Sequence, residues 1–63
     1  MSTEDYQIAL LQRGFAYYGR RRLWIGPNNI NIRGELNWDD RPGADLERLK
    51  SIEVVDDLLR KQP

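Results

Sequence analysis

The chain has no cysteine and no histidine among its 63 residues. Without thiols no disulfide can staple the fold, and the main ligands of structural zinc are missing, so the sequence predicts neither a metal nor a cofactor. The lack of cysteine also suits a reducing compartment. Long apolar runs are absent: nothing approaches the roughly 20 residues that span a bilayer, and no N-terminal stretch resembles a secretory leader. No Asn-x-Ser/Thr acceptor occurs either. The expectation is one soluble, cytoplasmic domain over residues 1–63, with no membrane association.

The same absences bear on catalysis. Histidine, the commonest general base, and the cysteine nucleophile are both missing. Besides tyrosine, the only hydroxyls are Ser2, Thr3 and Ser51. The first two belong to a fraying end, and Ser51 lies within a helical pattern with no base of suitable type nearby. Asp39-Asp40 and Asp56-Asp57 are adjacent carboxylates, but neighbouring positions on a strand or helix point apart, so neither forms a ready dyad. Asp39-Asp40 reads as a solvated turn before Pro42. Gly14 and Gly19 have the spacing of a phosphate-binding loop. Arg20 and Arg21 stand where that motif needs Lys and Ser/Thr, and its interior here is aromatic. No catalytic residue is assigned, and the chain is expected not to be an enzyme.

A chain of this length buries only about 60% of its unfolded surface. Such a core rarely supplies more than about 3–5 kcal/mol. Close packing around the aromatics, or association with another chain, is left to supplement it.

Ser2-Thr3-Glu4-Asp5 is a helix start, with a hydroxyl cap followed by acids at the positive end of the dipole. Ile8, Leu11, Phe15 and Tyr18 follow one helical face, which predicts a helix over 4–18 stopped by Gly19. Gly14 opposes this at a cost of about 1 kcal/mol. The alternative is a break there, leaving 15–18 extended. Arg22–Ile25 and Ile30–Arg33 flank Gly26-Pro27-Asn28-Asn29 and predict a two-stranded hairpin. Aligning Ile30 and Ile32 with Leu23 and Ile25 puts these four on the core face and Trp24 on the other, partly exposed. Residues 34–43 read as a connection, and a second helix follows from the cap Asp45 to Lys61, with Asp56–Arg60 and Asp57–Lys61 as supporting pairs. The fold class is therefore α+β, in the order helix, two-stranded hairpin, helix. Its single small core is expected to hold Ile8, Leu11, Phe15, Leu23, Ile25, Ile30, Ile32, Leu49, Ile52, Val55 and Leu59.

Net charge is zero but uneven. Residues 1–34 hold five Arg against Glu4 and Asp5, and residues 35–63 hold five bases against eight acids. Eight of the ten bases are Arg, the residue suited to forked contacts with carboxylate or phosphate and to stacking. Tyr17-Tyr18-Gly19-Arg20-Arg21-Arg22-Leu23-Trp24 concentrates the residue types that dominate binding hot spots. The candidate contact residues are Arg13, Tyr17, Tyr18, Arg20, Arg21, Arg22 and Trp24. The structural alternative is that Trp38 covers Trp24 and that the arginines pair with Glu53, Asp56 or Asp57. Neutrality and the acidic second half favour a protein partner. A nucleic-acid partner, gripped by Arg20–Arg22 with stacked aromatics, is the second reading. A homodimer burying the second helix is the third.

In size, lack of cysteine and arginine-rich make-up, the chain resembles the small early proteins with which bacteriophages bind and redirect host enzymes, in particular inhibitors of bacterial RNA polymerase. No motif carries the resemblance, so it assigns no residue a role. It implies a regulator that occupies a surface another factor needs, such as a sigma-factor docking site.

Overall fold

A computed structural model describes residues 1–61. The order is α1 (Thr3–Gln12), β1 (Ala16–Tyr18), β2 (Leu23–Ile25), β3 (Asn31–Arg33) and α2 (Ala44–Lys61), with short 3₁₀ turns at Pro27–Asn29 between β2 and β3 and at Glu35–Asn37 before α2. The strands form one antiparallel sheet in the order β1-β2-β3. This is the α+β architecture expected, with one strand more than the hairpin.

The extra strand comes from an early helix stop. The Ser2 hydroxyl caps α1 by accepting the Asp5 N–H at 3.1 Å. At the other end Gly14 takes a left-handed φ of 90°. The Gly14 N–H then bonds the Leu11 carbonyl and the Phe15 N–H that of Leu10, each close to 3 Å. This is the paired-bond stop that glycine favours, with Phe15 and Leu10 both buried beside it. The helix predicted over 4–18 is thus corrected to the alternative: it breaks at Gly14 and releases Ala16–Tyr18 as β1.

The register inverts the expected facing of β2. Asn28 and Asn29 both have positive φ, and the Ile30 N–H closes on the Pro27 carbonyl, the requirements of a type I′ turn. Gly26 donates to the Ile30 carbonyl at 2.8 Å, so the loop holds three residues where the sequence alignment assumed four. That one-residue difference turns β2 over relative to β3, while Ile30 and Ile32 pack against the core as expected. Tyr17, Trp24 and Ile32 form one row across the three strands, and Leu23 and Ile25 lie on the opposite face. Trp24 is only 3% exposed. Its indole N–H donates to the Asn37 side-chain oxygen at 2.7 Å, the partner that a buried tryptophan needs.

The core holds Tyr6, Ala9, Leu10, Phe15, Trp24, Ile52 and Val55, with Ile30, Ile32, Leu36 and Leu59 packed partly against it. Of the residues expected inside, Leu23 and Ile25 are half-buried, and Ile8, Leu11 and Leu49 are exposed. The face of α1 is rotated because the helix ends before the Phe15 and Tyr18 that had defined it. The Tyr6 hydroxyl meets the Ser51 hydroxyl at 2.9 Å and Arg13 meets Asp56, so α1 and α2 run side by side in the same direction. Asp45 lies in the first turn of α2 rather than capping it. The Asp57–Lys61 pair forms at 3.0 Å, whereas Asp56 turns to Arg13 instead of Arg60.

On α2 the buried place expected of Leu49 goes to its neighbour Arg48, which is 4% exposed. Its guanidinium donates to the carbonyls of Met1, Asp39 and Leu36 at 2.8, 2.9 and 3.2 Å, and to the Asp45 carboxylate at 2.6 Å. One side chain thereby joins the N-terminus, the connection and α2.

Candidate interaction surface

From Tyr6 to Gly34 the chain contains no carboxylate. The fold gathers most of this acid-free stretch into the sheet and its two turns. At one end, the turn Gly19–Arg22 is closed by the Arg21 N–H on the Tyr18 carbonyl at 3.1 Å and the Arg22 N–H on the Gly19 carbonyl at 3.3 Å. Arg22 holds a left-handed φ of 52°, a conformation costly for a residue with a Cβ. It belongs to the turn, not to the strand as expected. The Gly34 N–H bonds the Arg22 carbonyl at 2.8 Å. A Cβ on Gly34 would meet both that carbonyl oxygen and the Tyr17 ring inside 3 Å. The turn is therefore braced from two sides.

Strand alternation puts Ala16, Tyr18, Leu23, Ile25, Asn31 and Arg33 on the outer face. Tyr18, Leu23 and Arg33 form the row beside the arginine turn, and Ala16, Ile25 and Asn31 form the row behind it. Tyr18 is 49% exposed, and Arg20, Arg21, Arg22 and Arg33 are all exposed. Among the described residues, no carboxylate pairs with any of these four guanidiniums. Tyr18, Leu23 and Ile25 thus form a small apolar patch across β1 and β2, flanked by the guanidiniums of the turn and of Arg33.

Of the seven expected contact residues, the structure brings Tyr18, Arg20, Arg21 and Arg22 together here. Tyr17 and Trp24 turn to the inner face, with ring centroids 5.1 Å apart. Tyr17 is also 6.4 Å from Trp38 in an edge-on contact. Tyr17 thus stands in ring contact with both tryptophans, the buried Trp24 and the half-exposed Trp38. The expectation that Trp24 offers an exposed anchor is corrected by its burial. Arg13 is engaged in a two-pronged contact with Asp56 at 2.6 and 3.1 Å and donates to the Ala9 carbonyl. That contact holds the Asp56 carboxyl below the usual carboxylate range and raises the Arg13 guanidinium further.

Sequence reasoning missed Arg33, and it placed Leu23 and Ile25 inside. The signal for all three was the pair of asparagines. Both at positive φ make the tighter loop, and the tighter loop sets the parity of the sheet.

Among the described residues there is no enclosed pocket, no group of three or more side chains placed to hold a metal ion, and no helix long and apolar enough to cross a membrane. No protein-family model, curated protein or solved structure matches the chain.

Proposed function

We propose that the chain is a non-enzymatic regulator that binds a larger protein through the outer face of its sheet and the arginine turn. The observation that carries this reading is the apolar patch of Tyr18, Leu23 and Ile25 bordered by Arg20–Arg22 and Arg33, with no carboxylate among them. Guanidiniums of this kind meet carboxylates in a forked geometry, and the aliphatic centre suits leucine- or valine-type anchors on the partner. Four exposed cations, unpaired among the described residues, also steer an anionic surface into contact.

The nucleic-acid reading is weaker on the same geometry. Strand-binding platforms stack bases on successive aromatic faces. With Trp24 and Tyr17 turned inward, only Tyr18 is offered, among aliphatic neighbours. The resemblance in size and composition to phage inhibitors makes bacterial RNA polymerase the first partner to test.

The test is a binding titration of wild-type chain and of the Arg20→Ala, Arg21→Ala, Arg22→Ala triple variant against purified RNA polymerase, with duplex and single-stranded nucleic acid as separate arms. Wild type binding to the enzyme, with at least tenfold loss in the folded triple variant, supports the reading. Equal binding by the triple variant would refute the surface. Binding only to nucleic acid, with affinity falling linearly in log–log against salt, would replace protein by the second reading.

A further inference from the structure

A second surface on the same molecule has the opposite character. The outer side of α1 carries Glu4, Asp5, Ile8 and Leu11. Ile8 is 44% and Leu11 58% exposed. Within Thr3–Gln12 there is no base at all, and among the described residues neither Glu4 nor Asp5 has an ion-pair partner. This face is apolar and purely anionic, whereas the outer sheet face is apolar and purely cationic. The exposed leucines of α2 stand among charges of both signs, so nothing there selects an occupant.

We infer that the two surfaces are complementary to each other in separate copies: the outer side of α1 in one chain docks on the outer face of the sheet in a second copy. Charge complementarity commits the occupant to this chain. Among the residues named, each surface carries one sign, the two signs are opposite, and each presents aliphatic groups, exposed on α1 and half-buried on the sheet. The patch is small, which puts the association at the weak end of specific interfaces. Because Glu4 and Asp5 would meet exposed guanidiniums, the contact is sensitive to screening. It goes beyond the partner reading and does not rest on it. Only the consequence that self-association and partner binding compete for one face rests on that reading.

Sedimentation velocity on the full chain tests this over a concentration series. At roughly 0.01 M salt, where the screening length is about 30 Å, the sedimentation coefficient rises with concentration, and at about 1 M salt, where it is about 3 Å, the rise disappears. The Glu4→Lys, Asp5→Lys variant and the Arg20→Glu, Arg21→Glu, Arg22→Glu variant each associate roughly tenfold more weakly or not at all. Mixed together they recover association, because each chain then offers the other two complementary faces. The Ile8→Ser, Leu11→Ser variant alters only exposed side chains, and it loses association even if the charge variants prove poorly folded. A wild-type chain that stays monomeric throughout, variants that associate as wild type does, or a mixture that does not recover would each overturn the inference. Retained partner binding by a chain that never self-associates would leave the proposed function standing while removing this contact.

Discussion

Replacing Arg48 by Met tests whether a domain this small depends on a single buried cation. The methionine keeps an unbranched apolar stem of similar reach, so the change removes the guanidinium while leaving the packing volume largely filled. Three main-chain carbonyls, of Met1, Leu36 and Asp39, lose their charged donor. Hydrogen bonds to a charged group contribute about 1.5–3 kcal/mol each when fully desolvated. These carbonyls belong to surface segments that water reaches after the substitution, so the sum is well below three full bonds, and about 2–4 kcal/mol is expected. Against a total of about 3–5 kcal/mol, the variant sits near the unfolding threshold. At about 4–8 °C per kcal/mol for a domain of this size, the melting temperature falls by roughly 10–30 °C. Arg48→Lys is expected to recover only part of the loss, because one ammonium cannot reach the three carbonyls of the N-terminus and the connection at once. Urea unfolding followed by circular dichroism at neutral pH measures both. A midpoint for Arg48→Met within experimental error of wild type would refute the clamp, and a lysine variant equal to wild type would refute its forked geometry.

Three further outcomes follow from other parts of the fold. Asp39, Asp45, Asp56 and Asp57 all have carboxyls held below their ordinary range, by the Arg41 backbone N–H, Arg48, Arg13 and Lys61 respectively as the leading cause. A depressed folded-state pKa contributes stability above the unfolded value near 4, lost as pH falls through the folded value. An acid titration of the unfolding midpoint is therefore flat at neutral pH and declines below about pH 4, with a shallower decline in Asp56→Asn; an unchanged slope would count against the Arg13–Asp56 contact. Gly26→Ala drives a Cβ into the Phe15 ring, an overpacking expected to cost about 1–3 kcal/mol; a neutral urea midpoint would mean that the two do not touch in solution. Trp38 is 52% exposed and Trp24 buried, so Trp38→Phe leaves blue-shifted emission that iodide barely quenches, while Trp24→Phe leaves red-shifted, quenchable emission. The reverse pattern would contradict the sheet register.

The α+β order, the presence of both helices and the Gly26–Asn29 turn were legible from local signals. Ser2 with its following acids, the Gly26–Asn29 cluster and the periodic run of α2 each act within a few residues, where propensity decides. The faces were not legible, because they depend on parity. The Ile8–Leu11–Phe15–Tyr18 stripe is a sound helical pattern, and it fails only because Gly14 stops the helix in a paired-bond cap that needs Phe15 outside it. Leu23 and Ile25 looked like the buried side of a hairpin until a third strand brought Tyr17 beside Trp24, making the aromatic row the larger apolar surface to cover. Arg48 could not be read as core at all, since its burial is satisfied by carbonyls of the N-terminus and the connection, which leave no trace in spacing. The arginine turn was legible as a cluster. Its apolar neighbours were assigned to the wrong side, and Arg33 entered only through the register.

Photocrosslinking in cells that express the chain tests the account at its centre. A benzoylphenylalanine placed at Leu23, on the outer sheet face, should yield an adduct with one larger protein, and the Arg20→Ala, Arg21→Ala, Arg22→Ala background should abolish it. The same probe at Leu46, on the exposed side of α2, should yield none. An adduct from Leu46 with none from Leu23, or one at Leu23 that survives loss of the three arginines, would contradict the account.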